Sequence, residues 1–403
     1  MQVFNQINLT HVRGDLFGGV TAAVIALPMA LAFGVASGAG AEAGLYGAVL
    51  IGMFAALFGG TPTLISEPTG PMTVVFTAVI AGMIAANPEN GLAMAFTTVM
   101  LTGIFQMVFG LLKLGRYVTM MPYTVISGFM SGIGFILIII QMPPLLGYAS
   151  PPGGVLGSLG ALPGLLVQVK PGELMLGLVS LGILLLMPQR FRRIVPLQLL
   201  ALVAGTLLAI FLLGDGAYRE IGAIPGGLPQ LQLPTFSVEQ WQNIVVDALV
   251  LAMLGAIDAL LTSVIADSLT RTQHNSDKEL VGQGLGNLVS GLFGGLPGAG
   301  ATMGTVVNIQ AGARTALSGI TRALILAVIV FGASGLVEDI PKAVLAGIAI
   351  KVGIDIIDWA FLRRAHKVSM RGALIMYGVI AMTVFVDLIT AVGPPKADWD
   401  SIT

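Results

Sequence analysis

Cysteine is absent from the 403 residues, which excludes thiol chemistry and thiolate-bound metal. Histidine is scarce. His11, His274 and His366 are the only three, and each falls in a polar connecting stretch, so none is placed for proton relay or metal binding inside an apolar segment. Charge is scarce as well: Asp, Glu, Lys and Arg make up 10% of the chain and leave a formal net charge of -1, so no basic surface points to nucleic acid. No His, Cys or paired-carboxylate constellation falls within the apolar stretches, which speaks against a membrane-embedded enzyme. The N-terminus also lacks a short apolar core followed by a small-residue cleavage site, so the first apolar run is read as retained.

Apolar residues are abundant, at 56% of the chain, and recur in runs long enough to span about 30 Å of hydrocarbon. The chain therefore reads as an all-α polytopic membrane protein. Glycine supplies 54 residues, about 13% against a usual share of about 7%, which suits helices packed closely through small side chains.

Hydropathy marks segments at 15–37, 44–59, 70–86, 91–112, 120–142, 172–188 and 196–214, then a Pro- and Gly-rich stretch at 215–240, then 242–266, 280–294, 301–312, 315–332, 340–357 and 371–392. The division is a polar N-terminus (1–14), a first repeat (15–214), an external linker (215–240), a second repeat (241–392) and a polar tail (393–403). Alternating the loops puts Lys113, Arg116, Arg190, Arg192, Arg193, Arg271, Lys278, Arg314, Arg363, Arg364, Lys367 and Arg371 on one side, and Lys170 and Arg219 on the other. The positive-inside rule then makes the N-terminus cytoplasmic and the loops 143–171 and 215–240 external, in a plasma (inner) membrane. The Asn8-Leu9-Thr10 triplet is then cytoplasmic and no glycosylation site. Trp241 and Trp359 stand at segment ends, where interfacial aromatics belong. Seven segments and six give an odd total, so either 371–392 holds two short segments or the chain stops before a last one; the tail is too polar to supply it. The fold expected is 13 to 14 transmembrane segments in two inverted seven-segment repeats.

Two short apolar segments interrupted by Gly and Pro hold matching places in the two halves: Pro68 to Val75, and Pro297 to Val307. Each reads as a helix that begins partway through the membrane, at segments 3 and 10. Such broken helices point to a transporter's binding site, because their free N-terminal amides can face an anion at the midplane. Setting Thr73-Val74-Val75 against Thr305-Val306-Val307 brings Thr69 onto Ala301 and Gly70 onto Thr302. The anion contacts expected are the Thr69 hydroxyl and the amides around Gly70, with the amides of Ala301, Thr302 and Met303 opposite. Thr69 and Thr302 also fit the ordinary role of a helix N-cap.

Asp258 lies near the middle of an otherwise apolar segment, where an ionised Asp is disfavoured by about 2.5 to 3.5 kcal/mol on insertion scales. Such a residue faces a cavity or a cation, or is hydrogen-bonded to a neighbouring helix. Thr262 sits one turn later on the same face, and the unwound stretch from Gly298 to Ala301 offers carbonyls, Gly300 among them. Carboxylate, hydroxyl and carbonyl oxygens suit a hard cation such as sodium, with Thr302 placed to touch both ions. Glu67, Asp247, Asp355 and Asp358 lie at segment ends, where solvated or capping roles are expected. Arg322 and Lys351 fall within apolar runs, either near enough to the ends to snorkel or paired with acids that the sequence does not identify.

Gly44-Leu45-Tyr46-Gly47-Ala48, the run from Phe54 to Gly60, Gly294 to Pro297 and Asn308 to Thr315 together resemble the signature of the sulfate permease (SulP) family of anion transporters, and the resemblance extends over 10–392. It implies a core domain holding segments 1 to 4 and 8 to 11, a gate domain from the others, a site between segments 3 and 10, and a cytoplasmic STAS domain after the last segment that assists a homodimer. No STAS domain is present here, so the chain is expected to be shortened. Two positions depart from the wider family: Met29 follows Pro28 where many members carry Gln, and Gly304 aligns where many carry Arg. Losing that guanidinium removes a fixed positive charge beside the anion.

Within the family the chain resembles sodium-dependent bicarbonate transporters. The resemblance implies symport of bicarbonate with sodium; on the residue reading above, bicarbonate is held by Thr69, Gly70, Ala301, Thr302 and Met303, and sodium by Asp258, Thr262, Gly300 and Thr302. Two helix N-termini of roughly +0.5 each, with Asp258 and sodium cancelling, present about one positive charge to a monovalent anion. No organic cofactor is implied. Proton-coupled or exchanging transport of sulfate, another anion or a nucleobase could use the same fold, as could an anion channel.

Overall fold

The computed structural model describes residue 5 and residues 11–115, 123–188, 196–214, 217–222, 229–332, 335, 337–368 and 370–385. Arg116, Arg190, Arg192, Arg193, the Asn8 to Thr10 triplet, 386–392 and the tail 393–403 fall outside them, and with them the question of a second short segment after 385.

Nearly everything described is helical. The first half holds α1 (Val12–Ser37), α2 (Ala41–Phe58), a two-residue strand β1 (Ser66–Glu67), α3 (Gly70–Ala86), α4 (Gly91–Leu111), α5 (Tyr123–Leu145), α6 (Gly154–Val167), α7 (Pro171–Leu186) and α8 (Leu197–Leu208), which runs on as a π-helical turn over Ala209–Leu213. The second half holds α9 (Trp241–Thr270), α10 (Ser276–Leu292), β2 (Ala299–Gly300), α11 (Thr302–Gln310), α12 (Leu317–Gly332), α13 (Lys342–Ile356), α14 (Trp359–Val368) and α15 (Met370–Phe385). By length and apolarity α1, α2, α4, α5 and α9 each suffice to cross a membrane. Local chemistry sets the boundaries. Gly38, at φ 80°, closes α1 in the left-handed conformation. The Asn275 side chain accepts the Lys278 amide at 3.0 Å and caps α10.

Two expected loops are structured. In 143–171, Pro143 to Leu145 prolong α5, and the apolar run from Gly154 forms α6, which meets α7 at 117°. The described parts of the linker, 217–222 and 229–240, meet helix ends: the amides of Ile221 and Gly222 donate to the carbonyls of Ile340 and Glu338 at 3.0 and 3.1 Å. Arg219 donates to buried Glu173 at 3.2 Å, and the Gln232 amide donates to Leu292 O at 2.7 Å. An extended segment must place its backbone polar groups, and helix ends carry free carbonyls to receive them.

The helices pack in two groups. One consists of α1 to α4 with α9 to α12, the other of α5 to α8 with α13 to α15, and they meet where α1 and α3 touch α5, α8 and α13. Lipid tails are as apolar as leucine, so close packing rather than burial from water holds such helices together. Gly103 and Gly284 show how close: a Cβ on Gly103 would lie 2.4 Å from Gly284 O, and one on Gly284 would lie 2.5 Å from Gly103 O.

Candidate anion and cation site at the crossing of two broken helices

The breaks before α3 and α11 run antiparallel across each other. Ser66 pairs with Gly300 and Glu67 with Ala299, and the Ala301 amide donates to Ile65 O at 2.8 Å, so this amide, expected among the anion contacts, is already engaged by the crossing. Glycine at 298 is required by the approach, since a Cβ there would stand 2.3 Å from Glu67 O. Asn287 clamps the same residue from both sides: its Oδ1 accepts the Gly298 amide at 2.8 Å and its Nδ2 donates to Gly298 O at 2.9 Å. Gln106, which accepts from Asn287 Nδ2 at 2.8 Å, and Gln283, which donates to Ser66 Oγ at 2.6 Å, complete a buried polar layer behind the crossing.

From this crossing α3 and α11 depart with open N-termini. Thr69 and Ala301 hold the N-cap positions in extended conformation, and neither helix has a side-chain cap. Thr69 thus stands where a capping threonine would stand without capping, and Thr302 is the first residue of α11 rather than its cap. Pro71 falls in the first turn of α3, where it lacks only an amide with no partner within the helix. The α3 end is covered by the second helix group: a Cβ on Gly70 would meet Ile356 Cδ1 of α13 at 2.5 Å. The α11 end is open. Thr302 is exposed, Met303 is 47% exposed, and Gln198 Nε2 of α8 approaches Met303 Sδ to 3.4 Å.

Four oxygens expected to act together gather on one side of the crossing. Thr262 Oγ1 donates to Gly300 O at 2.9 Å and lies 2.9 Å from Thr302 Oγ1. Asp258, one turn before Thr262 on α9, is buried, and the Thr69 side chain faces its carboxylate. Asp258 Oδ2, Thr69 Oγ1 and Thr73 Oγ1 are buried with no hydrogen-bond partner among the described residues. Leaving a buried polar group without a partner costs about 1 to 3 kcal/mol, and more for a charged one.

The structure also corrects one assignment and decides another: Glu67 is not solvated at a segment end, and Arg322 takes the pairing alternative rather than the snorkelling one. Both are buried and paired with each other, and Arg322 Nη1 also donates to the carbonyls of Ala48 and Ser66 at 3.0 Å. A guanidinium on α12 is thus tied to α2 and β1 directly beneath the crossing, and Gly304 leaves the space: a Cβ there would lie 3.5 Å from Glu67 Oε1. The pair adds no net charge to the site. Lys351 is bound to Asp355 at 2.5 Å. Asp358 accepts the Phe361 amide at 3.0 Å and so holds the capping role expected of it. Asn287, Gln106 and Gln283 on the first helix group and Ile356 and Gln198 on the second were not identified from the sequence; for the four polar ones a place in an apolar, small-residue-rich segment was the only signal, and Ile356 gave none.

The fold has solved counterparts. The transmembrane domain of a cyanobacterium bicarbonate transporter, BicA, superposes with a TM-score of 0.93 at 68% identity, covering 97% of this chain and 100% of that one. Murine solute carrier 26 family member A9, an anion transporter in the inward-facing state, shares the fold with a TM-score of 0.84 at 19% identity, over 96% of this chain and 67% of that one. In sequence, the bicarbonate transporter BicA of Synechocystis sp. is 69% identical over 393 residues, 98% of this chain and 70% of the relative. With the model of the sulfate permease family matching residues 12–379, the chain belongs to that family.

Proposed function

We propose that the chain is a secondary active symporter that takes up bicarbonate together with sodium across the plasma membrane, with its N-terminus cytoplasmic. The observation that carries this reading is the convergence of Asp258, Thr262, Gly300 O and Thr302 on two uncapped helix N-termini. One carboxylate among neutral oxygens suits a monovalent hard cation. The amides of Gly70, Thr302 and Met303 with the Thr69 hydroxyl suit a small planar oxyanion. The names of the relatives, bicarbonate transporters at 69% and 66% identity, select the anion.

Sodium makes the anion site. With the cation bound, Asp258 is neutralised and the helix ends present about one positive charge; without it, an unpaired carboxylate cancels them. The Glu67 and Arg322 pair leaves this count unchanged. A divalent oxyanion would leave the site negative, which disfavours sulfate. The first helix group, carrying both ions, moves against the second as a rigid body. The pairing of Glu67 with Ala299, equivalent positions in the alignment of the two breaks, supports inverted repeats about an axis through the crossing.

Uptake of labelled bicarbonate into proteoliposomes tests the reading. Replacing sodium with choline is expected to abolish uptake, and Asp258→Ala to remove the sodium-dependent component, with excess sulfate competing weakly. Uptake at an unchanged rate in choline overturns the coupling. One-to-one stoichiometry is electroneutral, so a membrane voltage, worth about 2.3 kcal/mol per charge per 100 mV, is expected not to alter the rate.

A further inference from the structure

Helix α14 follows α13 and precedes α15, and on the hydropathy reading of 340–357 and 371–392 as spanning segments it joins two spans at a membrane surface. One side of it is spent on the protein. The Trp359 indole donates to Ile354 O at 2.8 Å and its ring meets Phe135 edge-on at 6.3 Å. Phe361 stands edge-on to Tyr123 at 5.3 Å, and Leu362 packs on Ala373 and Met376. The other side carries Arg363 and Arg364, both exposed, with Lys367 following Arg363 by one helical turn of sequence.

These cations have no acid beside them in the sequence. The stretch from Trp359 to Arg371 contains Arg363, Arg364, Lys367 and Arg371 and no Asp or Glu. The two acids just before it are engaged elsewhere. Asp355 holds Lys351 at 2.5 Å. Asp358 accepts Tyr123 Oη at 2.5 Å, Ser127 Oγ at 2.9 Å and the Phe361 amide at 3.0 Å. Among the described residues neither Arg363 nor Arg364 forms an ion pair. A fixed, amphipathic, purely basic helix at the surface of a bilayer is complementary to phosphate-bearing headgroups, which guanidinium groups bind in paired hydrogen bonds.

We propose that the Arg363 and Arg364 face of α14 is a headgroup site for anionic phospholipid. The lipid anchors the second helix group to the bilayer surface, so that movement of the first group is measured against a held frame. The site does not depend on which ions are carried.

Native mass spectrometry of the purified chain, titrated with phosphatidylglycerol or phosphatidylcholine, tests this. Each Lys or Arg near an anionic surface contributes about a fivefold gain in affinity. The double variant Arg363→Gln with Arg364→Gln is therefore expected to bind phosphatidylglycerol about 25-fold more weakly, and Arg363→Lys with Arg364→Lys to retain most of the binding. Inorganic phosphate is expected not to displace the lipid. Equal affinity in the Gln variant, equal binding of phosphatidylcholine, or full displacement by inorganic phosphate overturns the proposal. If the Gln variant fails to fold, brominated phosphatidylglycerol must still quench Trp359 more than brominated phosphatidylcholine, in the background Trp241→Phe with Trp399→Phe; equal quenching overturns it.

Discussion

At the scale of single residues, the Glu67 and Arg322 pair is costly to break and cheap to replace. Removing one partner leaves an uncompensated buried charge, which costs about 3 to 5 kcal/mol, whereas replacing both by apolar side chains is often neutral. Thermal unfolding is expected to show Glu67→Gln and Arg322→Met each strongly destabilised, with Glu67→Leu combined with Arg322→Met more stable than either. Asp258 and Thr262 could be read in the sequence because a lone acid in an apolar helix stands out and a hydroxyl one turn away shares its face. The ion pair could not. Glu67 sits beside Pro68 in what looks like a loop, and its partner is 255 positions away. Only the crossing of the two breaks brings them together.

At the scale of elements, each broken helix is held from behind. Asn287→Ala would strip the Gly298 amide and carbonyl of their partners, a loss of about 1 to 3 kcal/mol for each group left unpaired. It is expected to lower thermal stability and to weaken anion binding more than Asn275→Ala, which removes an ordinary cap. Gly284→Leu would drive α4 and α10 apart, and overpacking of this kind costs about 1 to 3 kcal/mol, measurable in the same assay. The start of α14 offers a pH test. Burial alone would raise the Asp358 carboxyl, but hydrogen bonds from Tyr123, the Phe361 amide and Ser127 outweigh it and hold the group below its ordinary value. Its stabilising contribution is therefore full above the ordinary carboxylate pKa and is lost as pH falls through the depressed one. Asp358→Asn is expected to flatten that acid limb of a stability profile. Most of the helices were legible, since apolar runs of spanning length have few other uses. Helix α6 and the path of the linker were not. A short helix with an internal proline looks like loop, and the linker is held by carbonyls whose positions only the packed helices fix.

At the scale of the whole molecule, the two helix groups meet where α1 and α3 touch α5, α8 and α13, and again where Gln198 approaches Met303 at 3.4 Å. The natural absence of cysteine allows Gln198→Cys with Met303→Cys to be made without background. An oxidised bridge between them is expected to stop uptake, a reductant to restore it, and each single variant to ignore both. Both broken segments belong to the group on the Met303 side, stitched to each other by the pairing of Ser66 with Gly300 and Glu67 with Ala299. In the proposed symport, cargo held at either end rides in one carriage, and neither ion is left behind on the far side unless those stitches part, which makes the two-residue ladder a safeguard against a leak.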